Sequence, residues 1–109
     1  MYTIYGIKNC STVKKALDFL NKQNTDFDFV DFKKTPPSLA DIKRWTDFLG
    51  ELPVNKHGLT YRKLREEFEP LSTQEKMEFL VKNNSMIKRP ILEKKAKVLY
   101  FGFKNDWSI

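Results

Sequence analysis

The sequence predicts an α/β fold built on a small mixed β-sheet with helices on its faces. Three observations support this class: a strand, a helix and a strand open the chain, a helical block fills its middle, and an antiparallel hairpin follows. The chain has 109 residues, the length of one ordinary domain, and 40% of them are hydrophobic. That share is enough to build a core, so a disordered chain is not expected.

The opening strand–helix–strand order follows from a change in hydrophobic period. Residues 2–5 are aromatic or β-branched and Gly6 ends them, which predicts a buried strand. Apolar residues spaced i, i+3, i+4 and i+7 from Val13 to Leu20 then predict an amphipathic helix over residues 11–23. Asn24 lies where that helix should stop. Residues 27–32 alternate Phe with Asp, which favours a second strand.

The middle of the chain has the start and stop signals of helices. After a proline pair at residues 36–37, Ser38 and Asp41 have the spacing of a capping box, and Gly50 is placed to close the helix that they open. A second short helix is expected over residues 60–68, because its apolar residues again fall on one face.

A third helix and a hairpin complete the predicted order. Ser72 with Glu75 forms another capping-box pattern. Beyond it, residues 86–92 and 98–101 have strand character, and the charged segment 93–97 is expected to join them as the turn of an antiparallel hairpin.

The amino-acid composition limits the kinds of partner that this protein is expected to bind. Twenty Lys and Arg against fourteen Asp and Glu give a net charge of +6, but the two signs are interspersed, so we expect a solvated surface and no direct nucleic-acid binding. No apolar run approaches the roughly 20 residues that span a bilayer, and the first residues do not resemble a secretory signal. A cytoplasmic protein without membrane contact is expected. One Cys and one His exclude an internal disulfide and a structural zinc site, and no metal site is expected.

Cys10 is the strongest candidate for chemistry. It lies between the first strand and the first helix, where unpaired N–H groups and the helix dipole favour a thiolate. Its neighbours Lys8, Asn9, Ser11 and Thr12 are polar and are candidate substrate-binding residues, since Lys8 adds positive charge and the two hydroxyls can donate to an oxyanion. The alternative is a buried cysteine that acts as a small hydrophobe, for which polar neighbours are a poor setting.

Three segments of the sequence match a known family. The opening TIYGIKNCSTVKKALDFL, the central KHGLTYRKL and the late MIKRPIL resemble the ArsC/Spx family of thioredoxin-like proteins, most closely its short, YffB-like branch. The similarity covers nearly the whole chain. It implies one domain with a four-stranded mixed sheet, in which residues 1–35 and 85–109 form a thioredoxin-like core and residues 36–84 form an inserted helical block.

The resemblance also implies a partner for the cysteine. Arg89 and Pro90 correspond to a pair in which the proline peptide bond is cis and the arginine reaches the cysteine, and Pro90 is a further candidate substrate-binding residue. Arg89 is then the counter-ion of the Cys10 thiolate and of an anionic substrate, since its planar guanidinium can bind two oxygens. Without the resemblance, Arg89 would be interpreted as an exposed strand arginine. His57 allows a second hypothesis, a Cys–His dyad, although a single His in a basic loop is more often solvated.

The function implied is that of a glutathione-dependent thiol reductase. Cys10 would attack an oxidised thiol or a small anionic substrate, and glutathione or glutaredoxin would resolve the adduct, because Val13 stands where many relatives have a second cysteine. Glutathione is then a co-substrate, and no bound cofactor is expected. Two alternatives remain: an Spx-like regulator that binds RNA polymerase, and an arsenate reductase proper. The latter needs three arginines, of which only Arg89 can be placed.

Overall fold

The computed structural model describes all 109 residues and divides them into two compact units. The first unit combines Met1–Thr35 with Arg89–Ile109, and the second consists of Pro36–Lys88. The predicted α/β class and the four-stranded mixed sheet are confirmed. The interpretation of the chain as one domain with an inserted block stays a prediction.

The sheet lies in the first unit and has the strand order β2-β1-β3-β4. β1 and β2 are parallel, whereas β1 pairs with β3, and β3 with β4, in antiparallel fashion. Helix α1 connects the two parallel strands, as a parallel pair requires. The elements of this unit are β1 (Tyr2–Gly6), α1 (Ser11–Lys22), β2 (Phe27–Asp31), β3 (Ile91–Lys94) and β4 (Lys97–Phe101).

The hydrophobic face of α1 anchors the helix to the sheet. Val13, Ala16 and Leu20 are fully buried, as the apolar spacing predicted. The C-terminal segment contributes to the same core through Trp107, whose indole N–H donates to the Gly102 carbonyl at 2.9 Å. The helix that carries Cys10 at its start is therefore held in place along its length.

The hairpin is confirmed, but its turn is shorter than predicted. Only Lys95 and Ala96 form the turn, both with positive φ (52° and 62°), whereas the expected turn covered residues 93–97. Glu93 pairs with Val98 and therefore belongs to the ladder. A two-residue turn in which both residues have positive φ matches the right-handed twist of the two strands.

The predicted strand over residues 86–92 starts too early. Residues Asn84–Met86 form a short 3₁₀ helix, and Ile87 makes an isolated bridge with Val54. β3 begins after Pro90, which has no N–H to donate to a ladder.

The second unit is helical, with α2 (Leu39–Leu49), α3 (Leu59–Phe68) and α4 (Thr73–Lys82). Both predicted capping boxes are present: the Ser38 hydroxyl accepts from the Asp41 N–H at 3.1 Å, and that of Ser72 accepts from the Glu75 N–H at 3.2 Å. Gly50 ends α2 in the left-handed region, with φ 76°, as its position predicted.

Candidate active site

Cys10 is the N-cap residue of α1 and has an extended backbone (φ −85°, ψ 125°). Its N–H donates to the Ile7 carbonyl at 3.1 Å, and its own carbonyl accepts the first helical hydrogen bond, from Lys14, at 3.0 Å. A turn on one side and a helix on the other therefore hold its backbone. Its side chain lies next to the N–H groups of the first helical turn, which have no partner within the helix.

Gly6 explains how α1 can begin so close to the end of β1. This glycine is buried, and a Cβ added to it would lie 2.7 Å from Cγ2 of Val13. Val13 is β-branched and fully buried, so it has little freedom to move aside. A residue with a side chain at position 6 would therefore push the first turn of α1, and Cys10 with it, away from the sheet.

The Cys10 thiol is half-buried, and its pKa lies below the usual value for a cysteine. Burial is the largest single influence and raises the pKa. It is outweighed by the Val13 N–H, by the hydrogen bond and positive charge of Arg89, and by the Thr12 N–H, all of which lower the pKa.

The sheet register brings Arg89 to the cysteine loop. β3 pairs with β1 so that Ile91 lies opposite Tyr5, which places the residues before Ile91 beside the end of β1, where that loop begins. The Arg89–Pro90 peptide bond is cis, as the resemblance implied. Arg89 precedes the strand instead of lying on it, and its guanidinium is near enough to the Cys10 sulfur to lower the pKa of the thiol.

The remaining predicted site residues lie close to Cys10 or Arg89 in the sequence and differ in their exposure. Thr12 contributes its N–H to the thiol environment. Lys8 and Asn9 are exposed in the turn before Cys10, and Ser11 is exposed at the first position of α1. Pro90 is buried behind Arg89. The substrate-binding role of these residues stays a prediction.

Sequence reasoning missed a cavity next to this loop. It has a volume of about 390 Å³, and we call it the β1–β2 groove. The groove is lined by Lys8, Leu17, Phe29, Val30, Asp31, Lys34 and Thr35. A signal for it was present, because α/β sheets tend to form a crevice outside the carboxyl ends of parallel strands. The sequence order alone did not show which two strands would be parallel neighbours.

His57 is exposed in the loop before α3, and its backbone N–H donates to the Asn55 side chain at 3.3 Å. The Cys–His dyad stays a hypothesis. No group of three or more His, Cys, Asp or Glu side chains is arranged to hold a metal ion. None of the helices has both the length and the apolar character to cross a bilayer.

Comparison with known proteins identifies a common architecture. The model of the ArsC family matches residues 5–108. An uncharacterized protein of Haemophilus influenzae is 37% identical over 105 residues, covering 94% of this chain and 91% of that protein. The global transcriptional regulator Spx of Listeria innocua is 28% identical over 105 residues, covering 92% of this chain and 80% of Spx.

Two solved structures are similar over nearly their full length. A structure of the YFFB protein has a TM-score of 0.83 and 35% identity, covering 97% of this chain and 94% of its own. A possible arsenate reductase from Streptococcus mutans has a TM-score of 0.79 and 32% identity, covering 95% and 92%. The residues matched by the family model include both Cys10 and Arg89.

Proposed function

This chain is a member of the ArsC family, and from that premise we propose that it is a thiol-dependent reductase whose nucleophile is Cys10. The observation that carries the proposal is the position of Cys10 at the N-terminal end of α1, beside which the pairing of β3 with β1 places Arg89. A thiolate, not a thiol, is the attacking species in disulfide exchange. An arrangement that lowers the pKa of a half-buried cysteine is what such an enzyme requires.

The proposed reaction has two exchange steps. The Cys10 thiolate attacks one sulfur of a disulfide substrate, so a bond forms between these sulfurs while the substrate S–S bond breaks. The second substrate sulfur leaves with the bonding electron pair and takes a proton from solvent. A thiolate of glutathione or glutaredoxin then attacks the substrate sulfur held on Cys10, forms a new disulfide with it and releases Cys10 as a thiolate.

The external thiol is part of this proposal because the chain has one cysteine. Val13 occupies the position three residues after Cys10, where a second cysteine would have to lie to resolve the adduct from the next turn of the helix. Arg89 stabilises Cys10 as the nucleophile in the first step and as the leaving group in the second. Both steps depend on the same positive charge.

Mass spectrometry of Cys10 after exposure to oxidised glutathione tests the proposal. We expect a mixed disulfide to form rapidly on the wild type and several-fold more slowly on Arg89→Ala, because loss of the positive charge that lowers the pKa of Cys10 leaves a smaller fraction of the thiol as the reactive thiolate. Arg62→Ala, which removes an exposed arginine from α3, is the control and should react like the wild type. A Cys10 that stays unmodified in the wild type would refute the proposal.

Similarity to Spx favours a second candidate function, a transcriptional regulator that binds RNA polymerase. The matched region covers 80% of the Listeria innocua regulator. The Cys10→Ser variant separates the two functions, because a regulator can bind polymerase without its thiol, whereas a reductase needs it. Retention of polymerase subunits by immobilised Cys10→Ser protein would favour the regulator; their absence, together with a reactive wild-type Cys10, would favour the reductase.

Arsenate is a third candidate substrate because of the similarity to a possible arsenate reductase. The segments that resemble the other two arginine positions contain Lys56 and Lys104 instead. An assay of arsenate-dependent NADPH oxidation, coupled through glutathione reductase and glutaredoxin, should therefore show no activity above background. Clear activity would identify arsenate as a substrate.

A further inference from the structure

The β1–β2 groove lies at the same edge of the sheet as the nucleophile. Gly6 pairs with Asp31 at the carboxyl ends of the two parallel strands, and the Phe32 N–H donates to the Gly6 carbonyl at 2.8 Å. Lys8 follows the end of β1 and lines the groove. Its Cα is at most about 7 Å from that of Cys10, because only Asn9 lies between them in the chain. The groove therefore shares the side chain of Lys8 with the loop that carries the reactive sulfur.

A tight turn after β2 places a second lysine on the groove. One carboxylate oxygen of Asp31 accepts the Lys33 N–H at 3.0 Å. Its backbone carbonyl accepts the N–H groups of Lys34 and Thr35 at 3.0 and 2.8 Å. The turn fixes the backbone at Lys34 and also partly satisfies the single carboxylate that lines the groove.

The lining of the groove combines an apolar surface with positive charge. Leu17, Phe29 and Val30 supply the apolar part, whereas Lys8 and Lys34 supply two ammonium groups against one carboxylate. Neither lysine forms an ion pair within the chain. The volume of about 390 Å³ is in the range of small-molecule sites. Short aliphatic stems with carboxylate groups complement such a surface.

We propose that the β1–β2 groove binds the carboxylate-bearing half of a small disulfide substrate. The carboxylates of that half contact Lys8 and Lys34, its aliphatic stem lies on the apolar surface, and its sulfur is thereby presented to Cys10. The inference rests on the proposed reductase function and specifies its substrate class: anionic small-molecule disulfides, in preference to neutral or cationic ones.

Three disulfides of different charge test this preference: oxidised glutathione, 2-hydroxyethyl disulfide and cystamine. We expect Lys8→Gln/Lys34→Gln to slow mixed-disulfide formation with oxidised glutathione about tenfold, as the loss of two charge contacts implies, and to change the rate with neutral 2-hydroxyethyl disulfide less than about twofold. The rate with cationic cystamine should rise or stay constant. Equal losses with all three disulfides would overturn the inference.

Lys14→Gln is the matched control for the effect of charge near the nucleophile. Lys14 is exposed, follows Cys10 by one helical turn and does not line the groove. Its replacement removes one positive charge close to the thiol without altering the groove. We expect the rate ratio of oxidised glutathione to 2-hydroxyethyl disulfide to stay near that of the wild type. A ratio that falls as far as in the double variant would show a general charge effect and overturn the inference.

Binding of S-methylglutathione separates the groove from the thiol chemistry, because this thioether cannot exchange with Cys10. Titration followed by NMR should give saturable shifts of the Leu17 and Val30 methyl groups in the wild type, and these shifts should be lost in Lys8→Gln/Lys34→Gln. Lysine-dependent binding with an unreactive Cys10 would refute the proposed reductase function but support the groove as a binding site. A reactive Cys10 without these shifts would support the proposed reductase function and overturn the groove as a binding site.

Discussion

At Cys10, burial and hydrogen bonding act on the thiol in opposite directions. Burial alone would keep it protonated, and it is the strongest single influence on the pKa. The combined effect of two helix amides and Arg89 is larger, so the pKa falls. Because Cys10 precedes an amphipathic helix, the sequence alone predicted that unpaired helix N–H groups would favour its thiolate. The approach of Arg89 depends on strand pairing, and only the family resemblance indicated it.

Gly6 gives a residue-scale prediction about stability. Gly6→Ala should lower the free energy of unfolding by about 1–3 kcal/mol, because its Cβ would meet the Val13 side chain at 2.7 Å. Urea denaturation measures the change. In a Val13→Ala background the same substitution should be less destabilising, since the two methyl groups that it would meet are gone. Additive effects in this double-mutant cycle would rule out the steric explanation.

At the scale of elements, local patterns and the hairpin between successive strands were predictable from the sequence, whereas the pairing of β1 with β3, which are distant in the sequence, was not. The periods of α1 and α2 and the two capping boxes follow from neighbouring residues, so they could be read locally. The start of β3 could not, because Ile87 has strand character but bridges Val54 outside the sheet. The β1–β2 groove was also missed, because its location follows from the pairing of β1 with β2, which the sequence order did not show.

The capping boxes give an element-scale prediction. Ser72→Ala should lower the free energy of unfolding by about 1 kcal/mol, because the hydroxyl that accepts the Glu75 N–H is lost and α4 keeps an unsatisfied donor. Urea denaturation again provides the measurement. Thr73→Ala, one residue along at an exposed position, is the control. If it destabilises the protein as much as Ser72→Ala, the cap does not account for the loss.

At the scale of the whole molecule, the lowered pKa of Cys10 couples thiol chemistry to stability. A thiol with a lower pKa in the folded than in the unfolded state loses its proton first in the folded protein. Its contribution to stability is therefore complete above the unfolded value of about 8.5. That contribution is lost as the pH falls through the folded pKa of Cys10.

Comparison of wild type with Cys10→Ser across pH tests this coupling. We expect the difference in free energy of unfolding to move in favour of the wild type as the pH rises from the folded pKa of Cys10 towards about 8.5, and then to level off. Urea denaturation at a series of pH values measures it. Serine is a good N-cap and adds an offset that does not depend on pH, so only the slope is informative. Parallel curves would contradict a lowered pKa.

The pKa of Cys10 itself, measured in the wild type and in Arg89→Ala, tests the central claim most directly. It can be obtained from the pH dependence of thiolate absorbance and, independently, from the rate of alkylation by iodoacetamide. We expect a wild-type value below the ordinary cysteine value of about 8.5 and a higher value in Arg89→Ala, with Arg89→Lys in between. A wild-type value at or above the ordinary one, unchanged by the loss of Arg89, would contradict it.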